Sequence, residues 1–347
     1  MSQLDSGNAA WILTSACLVF LMTPGVALFY GGMVRAKAVL NMLIMEAAAL
    51  SVTMIIWGLW GWSIAYAGNS IGGVFGDPAT GFLLRDTMVA QDGVFTSASL
   101  NSNNYPASVD VAFQAAFAMI TVALICGAIA ERVKYSTWMI FVALWITFDY
   151  APMAHMVWNG GLLSADGAIS QALGAAAHDF AGGTVVHINA AVAALIIVLI
   201  IGKRKGFGVE PMRPHNVPFV MLGAIAGVVT CLACSLKFKL GYDDSLDVVG
   251  VHGVGGLVGT VLLGFFMEGT GLFYSGKWNQ LGVQLIIAII AIAFSAVITT
   301  IIAFALEKTI GWRVTQAQEV AGIDLADQGE RAYDFAGTAS SVIREMK

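Results

Sequence analysis

Charged residues are scarce in this sequence. Only 11% of the 347 residues are Asp, Glu, Lys or Arg, and the net charge is −5, whereas soluble globular domains carry roughly a quarter charged residues. The chain lacks the polar surface of a soluble enzyme, and it lacks the basic patch with which proteins neutralise nucleic-acid phosphates. Since 58% of the residues are hydrophobic, the composition predicts a polytopic membrane protein.

Cysteines are also few, and the common catalytic motifs are missing. The four Cys imply no disulfide framework, and Cys231 and Cys234 lie in an apolar run without a second ligand pair, so packing is favoured over a zinc or redox role. The sequence contains no HExxH, GxSxG or P-loop motif, and 202–206 is a basic membrane loop. We therefore predict neither an enzyme nor a cofactor, a metal site or a nucleic-acid partner.

Long hydrophobic runs, by contrast, are plentiful. About 20 apolar residues suffice for a helix to cross the hydrocarbon core of a bilayer, and eight stretches reach that length. They predict an all-α transmembrane bundle and cover 10–33, 40–66, 111–130, 136–154, 182–202, 217–236, 248–267 and 281–306.

The distribution of Lys and Arg predicts the orientation, because cytoplasmic loops are enriched in these residues. The loops after the first, third and fifth stretches are basic, whereas loop 67–110 holds only Arg85 and loop 155–181 holds neither Lys nor Arg. We therefore predict a multi-pass protein of the cell membrane with its N-terminus outside and its C-terminus in the cytoplasm.

The stretch 217–236 conflicts with this pattern. Basic residues flank it on both sides, at 203–213 and at Lys237 and Lys239. If all eight stretches crossed, the later loops would face the wrong side for their charges. The charges favour seven crossings. The stretch 217–236 either enters and leaves the membrane on the same side, or crosses it although both basic flanks favour the cytoplasm. The predicted regions are a membrane domain over 1–306 and a cytoplasmic tail over 307–347.

Two histidines lie inside apolar stretches. His187 and His252 have small neighbours, and each follows an Asp, Asp179 by eight residues and Asp247 by five. A polar ring at membrane depth costs free energy unless it has a partner, so it usually faces the bundle interior. Either His alone could be satisfied by a carbonyl group. Together they could pass a proton or line a narrow polar track, because imidazole can donate at one nitrogen and accept at the other.

Three aromatic residues and one acid are further candidates. Trp158 ends the fourth stretch at the predicted external face, where it could bind a cation or simply anchor the helix at the interface. Phe113 and Phe117 are four residues apart and share a helix face, so they either close a constriction or pack. Glu46 lies two to three turns inside the second stretch, and the sequence assigns it no role.

Six segments carry a specific pattern along nearly the whole chain. They are 23–32 (TPGVALFYGG), 128–132 (AIAER), 154–158 (AHMVW), 179–189 (DFAGGTVVHIN), 214–216 (PHN) and 243–253 (DDSLDVVGVHG). In kind and in order they resemble the ammonium transporter family (Amt/Rh/MEP). The resemblance implies the inverted-repeat helical fold of that family and a homotrimer with one pore per subunit.

The resemblance also implies roles for the candidate residues. His187 and His252 correspond to the central pore, and the external ammonium vestibule corresponds to Trp158, Phe113, Phe117 and Asp179. A bare cation in low dielectric costs tens of kcal/mol in the Born limit, so a dry pore suits neutral ammonia, and the proton must be shed near the mouth. Methylammonium would serve as an analogue of the substrate.

One departure from the family pattern concerns its length. Members usually have eleven spans, whereas here the segment that follows 214–216 runs almost directly into 237–247. The sequence predicts an internal deletion near 223–226 that removes about three helices. An odd number of lost helices accounts for the charge conflict, and loss of a pore wall predicts impaired transport.

Two other functions remain open from the sequence. In a membrane haem protein, His187 and His252 would be axial ligands. In an ammonium sensor or regulatory subunit, the tail would signal, since 311–324 resembles the family region that couples subunits and answers to PII-type signal proteins.

Overall fold

Seven membrane-length helices form the fold. The computed structural model describes residues 4–85, 87–91, 94–97, 100–101, 103–209, 216 and 236–333. Within them, the helices long and apolar enough to cross a membrane are α1 (Ser6–Met33), α2 (Ala36–Gly61), α3 (Ala107–Ile129), α4 (Tyr135–Trp158), α5 (Gly183–Ile201), α6 (Val249–Phe266) and α7 (Asn279–Thr309). The polytopic helical prediction is confirmed. The predicted stretch 217–236 lies outside the described residues, except for its last residue.

The loop between α2 and α3 adds two small hairpins to the all-α prediction. Strands β1 (Ser70–Ile71) and β2 (Phe75–Gly76) pair antiparallel, as do β3 (Met88–Gln91) and β4 (Val94–Ser97). His155 of α4 anchors this loop, because its Nε2 lies 2.8 Å from Ser70 Oγ. Its Nδ1 lies 3.2 Å from a backbone carbonyl, so this third histidine is buried for a structural reason.

The bundle core lies around α3, which packs against α1, α2 and α5. Indole N–H groups join the outer helices to one another: Trp138 donates to the Met45 carbonyl at 2.9 Å and Trp145 donates to Thr299 Oγ at 3.0 Å. Because lipid supplies no hydrogen bonds, such internal partners are the only ones available to polar groups at this depth.

One face of the bundle collects the basic loops and the tail. Asp243, which precedes α6, binds Arg204 after α5 at 2.9 Å, and the buried Arg132 after α3 lies 3.8 Å from it. Arg132 also donates to the Asp243 carbonyl at 2.6 Å. Described residues on both sides of 217–236 therefore lie at the same face. That arrangement matches the seven-crossing interpretation of the charges.

The described part of the tail packs on the same face. The Asp324 carboxylate accepts the backbone N–H groups of Leu40 at 3.0 Å and Asn41 at 2.7 Å, near the start of α2. Burial raises the pKa of Asp324, and these N–H groups oppose the shift. Trp312 donates its indole N–H to the Ala303 carbonyl at 2.9 Å. The tail is thus bound to the membrane helices, and its predicted boundary at 307 falls within α7.

Cysteine labelling tests this arrangement. In a background without native cysteines, Lys205→Cys and Lys239→Cys should react with an impermeant thiol reagent from the same side of the membrane, and Lys277→Cys from the other, because all three side chains are exposed and α6 and α7 separate the sides. The charge pattern puts the first two in the cytoplasm. Labelling of Lys205→Cys and Lys239→Cys from opposite sides would contradict the fold.

Candidate functional site

The two membrane histidines meet. His187 lies on α5 and His252 on α6, and their Nδ1 atoms are 3.1 Å apart in nearly coplanar rings, with an interplanar angle of 4°. A hydrogen bond at this distance needs one nitrogen that donates and one that accepts. One ring therefore carries its proton on Nδ1, and the other leaves Nδ1 free as the acceptor.

Each histidine lies in a π-helical segment at the start of its span, Gly183–Ile188 in α5 and Val249–Val254 in α6. Single π-helical turns are uncommon and concentrate at functional sites, because they re-aim side chains and release backbone groups. Asp179 binds the first segment, accepting from the N–H of Thr184 at 3.2 Å and of Val185 at 3.0 Å.

Asp244 binds the second segment in the same way. Its carboxylate accepts from the N–H of Val248 at 2.9 Å and of Val249 at 2.7 Å. Asp244 precedes His252 by eight residues, as Asp179 precedes His187, so it is the counterpart of Asp179. Asp247, the Asp five residues before His252, instead turns into the left-handed region at φ 62° and pairs with Lys237 at 2.7 Å. Matching the eight-residue spacing would have found Asp244.

Glycines allow the two segments to touch. A Cβ on Gly256 would lie 2.7 Å from the Cβ of His187, and a Cβ on Gly183 would lie 2.6 Å from Thr260 Oγ. Neither distance is tolerated between real side chains. The ring contact therefore depends on glycine at these two positions.

A largely apolar cavity of about 400 Å³ adjoins the ring pair. Both histidines line it, together with Asp179, Gly255 and Leu263. Few polar groups reach this space apart from the two imidazoles and the carboxylate, so it offers little solvation to a charged solute.

The aromatic candidates form a second cluster beside Asp179. The Phe113 and Phe117 rings are 5.1 Å apart and perpendicular, and the Phe117 and Trp158 rings are 6.0 Å apart at 68°. Such tilted contacts are favourable for aromatic rings. Burial raises the pKa of Asp179. Hydrogen bonds from the N–H groups of the α5 segment and from the Trp158 indole oppose this rise. Asp179 thus connects the two groups of predicted site residues, because it interacts with Trp158 of the aromatic cluster and lines the same cavity as the two histidines.

Glu46 lies apart from these residues. It is buried in α2, where its carboxyl group interacts with the Cys126 thiol of α3. The haem alternative fits this arrangement poorly, because rings in direct contact leave no room for a macrocycle between them.

These features define a class, a helical membrane protein with a largely apolar cavity beside a buried pair of histidines. Comparison of the sequence with known families is more specific. The model of the Ammonium Transporter Family matches residues 10–225 and 222–333. The chain belongs to this family, and its two matched pieces meet at the predicted deletion.

Curated relatives support the same conclusion. The ammonium transporter of Mycobacterium tuberculosis (strain ATCC 25618 / H37Rv) is 39% identical over 448 aligned positions that cover 99% of this chain and 93% of the relative. That of Aquifex aeolicus is 34% identical, with 96% and 95% covered. Because the first alignment is about 100 positions longer than the chain, the relative contains about 100 residues that have no counterpart here.

Solved structures share the fold. Saccharomyces cerevisiae Mep2 superposes with a TM-score of 0.79 at 25% identity and covers 97% of this chain and 93% of its own. Candida albicans Mep2 gives 0.77 at 28% identity, with 95% and 91% covered. A protein described as Sensor Amt Protein gives 0.78 at 20% identity, with 92% and 98% covered, and that likeness concerns the fold alone.

Replacing Gly256 tests the close approach. Gly256→Ala should push α6 away from His187 and break the Nδ1 contact, at an overpacking cost of about 1–3 kcal/mol. Nitrogen NMR of labelled imidazoles should show the loss of the shared hydrogen bond. The matched control is Gly259→Ala on the same helix, where an added Cβ meets nothing within 4 Å. Equal spectra for both variants would refute the role of Gly256.

Proposed function

We propose that this chain carries ammonium across the cell membrane by binding the cation at the aromatic cluster and passing ammonia along the cavity of the histidine pair. The observation that carries the proposal is the coplanar contact of His187 and His252 beside a largely apolar cavity. The relatives named as ammonium transporters support the choice of substrate.

The cation would bind first at Trp158. A monovalent cation is attracted to the face of an aromatic ring, most strongly to Trp, and Phe117 provides a second ring in contact with it. Asp179 adds negative charge next to the indole. This carboxylate also orders the start of α5, so its role is to fix the site as well as to attract the ion.

Ammonia would then continue without the proton. Desolvating an ion in an apolar cavity is far more costly than desolvating a neutral amine, and the imidazole nitrogens offer the neutral molecule hydrogen-bond partners. At their present distance the two rings share one proton at Nδ1, because two N–H groups facing each other at 3.1 Å would repel. The pair can therefore accept or donate a proton only by shifting that hydrogen bond.

Transport by this chain would be slow compared with that of its relatives. The described residues supply seven spans, and about 100 aligned positions of the mycobacterial relative are missing. The loss falls between α5 and α6, the two helices that carry the histidines. A pore with part of its wall missing holds His252 less firmly, which would lower the rate.

Assembly and regulation follow the family pattern in this proposal. The protein would form a homotrimer in the cell membrane with its N-terminus outside, and its tail would face the cytoplasm, where a PII-type signal protein could bind. Lys37 donates to the Val320 carbonyl at 2.5 Å, and Asp324 binds the start of α2. These contacts favour a regulatory role of the tail, including the alternative function of an ammonium sensor.

Replacing either histidine tests the pore. His187→Ala or His252→Ala should lower methylammonium uptake by about tenfold or more, equivalent to at least about 1.4 kcal/mol in the barrier, because the remaining ring loses its partner. Val258→Ala, on the exposed face of α6, is the matched control. Uptake at the unaltered rate in both histidine variants would exclude this route.

The impairment has its own test. At equal amounts in the membrane, cells that express this chain should take up methylammonium about tenfold more slowly than cells that express the Mycobacterium tuberculosis relative. That difference corresponds to about 1.4 kcal/mol in the barrier. A matching rate would show that the missing positions are dispensable for transport.

A further inference from the structure

A buried acid lies in the middle of α4, outside the proposed pore. Asp149 is 0% exposed and belongs to a π-helical segment, Ile146–Tyr150. It lines neither the cavity of the histidine pair nor the aromatic cluster. A carboxyl group at this depth is unusual, because ionisable residues inside membranes are costly and are found mostly at functional positions.

Uncharged polar groups from two other helices surround Asp149. Its Oδ2 accepts from the Thr299 hydroxyl at 3.4 Å, and that hydroxyl accepts from the Trp145 indole at 3.0 Å. The Asn189 amide and the Ser295 hydroxyl also interact with the carboxyl group. Ser295 donates to the Asn189 carbonyl at 3.1 Å. All these side chains are fully buried.

Several polar atoms of this cluster have no partner. Asp149 Oδ1 and both side-chain atoms of the Asn189 amide lack a hydrogen bond within the part of the chain that the structure describes. The amide of Asn189 carries an acceptor oxygen as well as N–H donors. A proton on Asp149 Oδ1 would supply a donor for that oxygen.

In the part of the chain that the structure describes, no charged group pairs with an ionised Asp149. The groups that face it are Asn189 from α5, Ser295 and Thr299 from α7, and Trp145 from α4 itself, and no ionisable group of α2 or α3 in the described ranges interacts with it. In α4 the adjacent ionisable residue is Tyr150, which is neutral at physiological pH. Among the described residues, the carboxyl group therefore has no cation to pair with.

The comparison of two costs decides the state of this acid. At neutral pH an Asp in water favours the ionised form by about a thousandfold. Keeping Asp149 protonated therefore costs only the free energy that corresponds to this ratio. An unpaired carboxylate in a low-dielectric interior is disfavoured by far more. We propose that Asp149 binds a proton in the membrane interior and, with Asn189, forms a protonation site separate from the histidine pair.

The site would position the pore helix. Asn189 directly follows the π-helical segment that carries His187, so an O–H donated by Asp149 would hold the amide at the start of the regular turns of α5. Loss of the proton would remove this O–H donor, and the amide would have to turn its N–H groups toward the carboxylate, which would disturb that turn. Asp149 is thus a positioning residue for His187.

Infrared spectroscopy of the purified full chain tests the protonation without requiring transport. A protonated carboxyl group absorbs at a higher carbonyl frequency than a carboxylate, and this band should be present at neutral pH and vanish in Asp149→Asn. Glu46→Gln, which alters another buried acid within a membrane-length helix, is the control and should leave the Asp149 band in place. Thr299→Val should shift the band without removing it, because Oδ2 loses its donor.

The positioning role requires a second measurement. The imidazole nitrogen signals of His187 should change at alkaline pH as Asp149 loses its proton, and in Asp149→Asn, which stays neutral, that step should be absent. The proposal is overturned if no infrared band at neutral pH depends on Asp149, or if the His187 signals titrate equally in both proteins. It is also overturned if the band appears only when Na⁺ is removed, because a metal cation would then compensate the charge.

Discussion

The site depends on the contact between the π-helical segments at the start of two membrane-length helices. His187 and His252 can share a hydrogen bond only because the backbones of α5 and α6 approach closely, and Gly183 and Gly256 remove the side-chain atoms that would prevent it. Within the membrane, small residues at helix interfaces serve this purpose, since van der Waals packing rather than the hydrophobic effect holds helices together. The same contact fixes which faces of α5 and α6 can line a cavity.

The membrane interior also determines how the two halves of the site are built. A π-helical segment has backbone N–H groups at its start that need acceptors, and lipid provides none. Asp179 and Asp244 supply them in equivalent positions, eight residues before each histidine. This repetition is typical of transporter folds made from internal repeats, with the binding site between the repeats. One carboxylate therefore serves both folding and the placement of an imidazole.

Much of the fold could be predicted from the sequence because spanning a bilayer requires a minimum run of apolar residues. The boundaries of the seven spans agree with prediction to within five residues, and the basic loops predicted a shared face that Asp243 and Arg204 indeed occupy. The short hairpins of the loop between α2 and α3 were not predicted, since strands of two to four residues leave almost no periodic signal. Asp244 was not predicted because Asp247 lies closer to His252 in the sequence, and residue spacing alone does not show which of the two binds the helix start.

The sequence alone determined the class of protein, the family motifs and the candidate residues, because these follow from composition and residue spacing along the chain, whereas its charges left 217–236 either dipping in and out or forced across. Only the tertiary structure decided that His187 and His252 touch, that Asp244 rather than Asp247 is the second acceptor, and that Asp149 has no charged neighbour among the described residues. Those properties depend on distances between groups that are far apart in the chain, and packing fixes such distances in space.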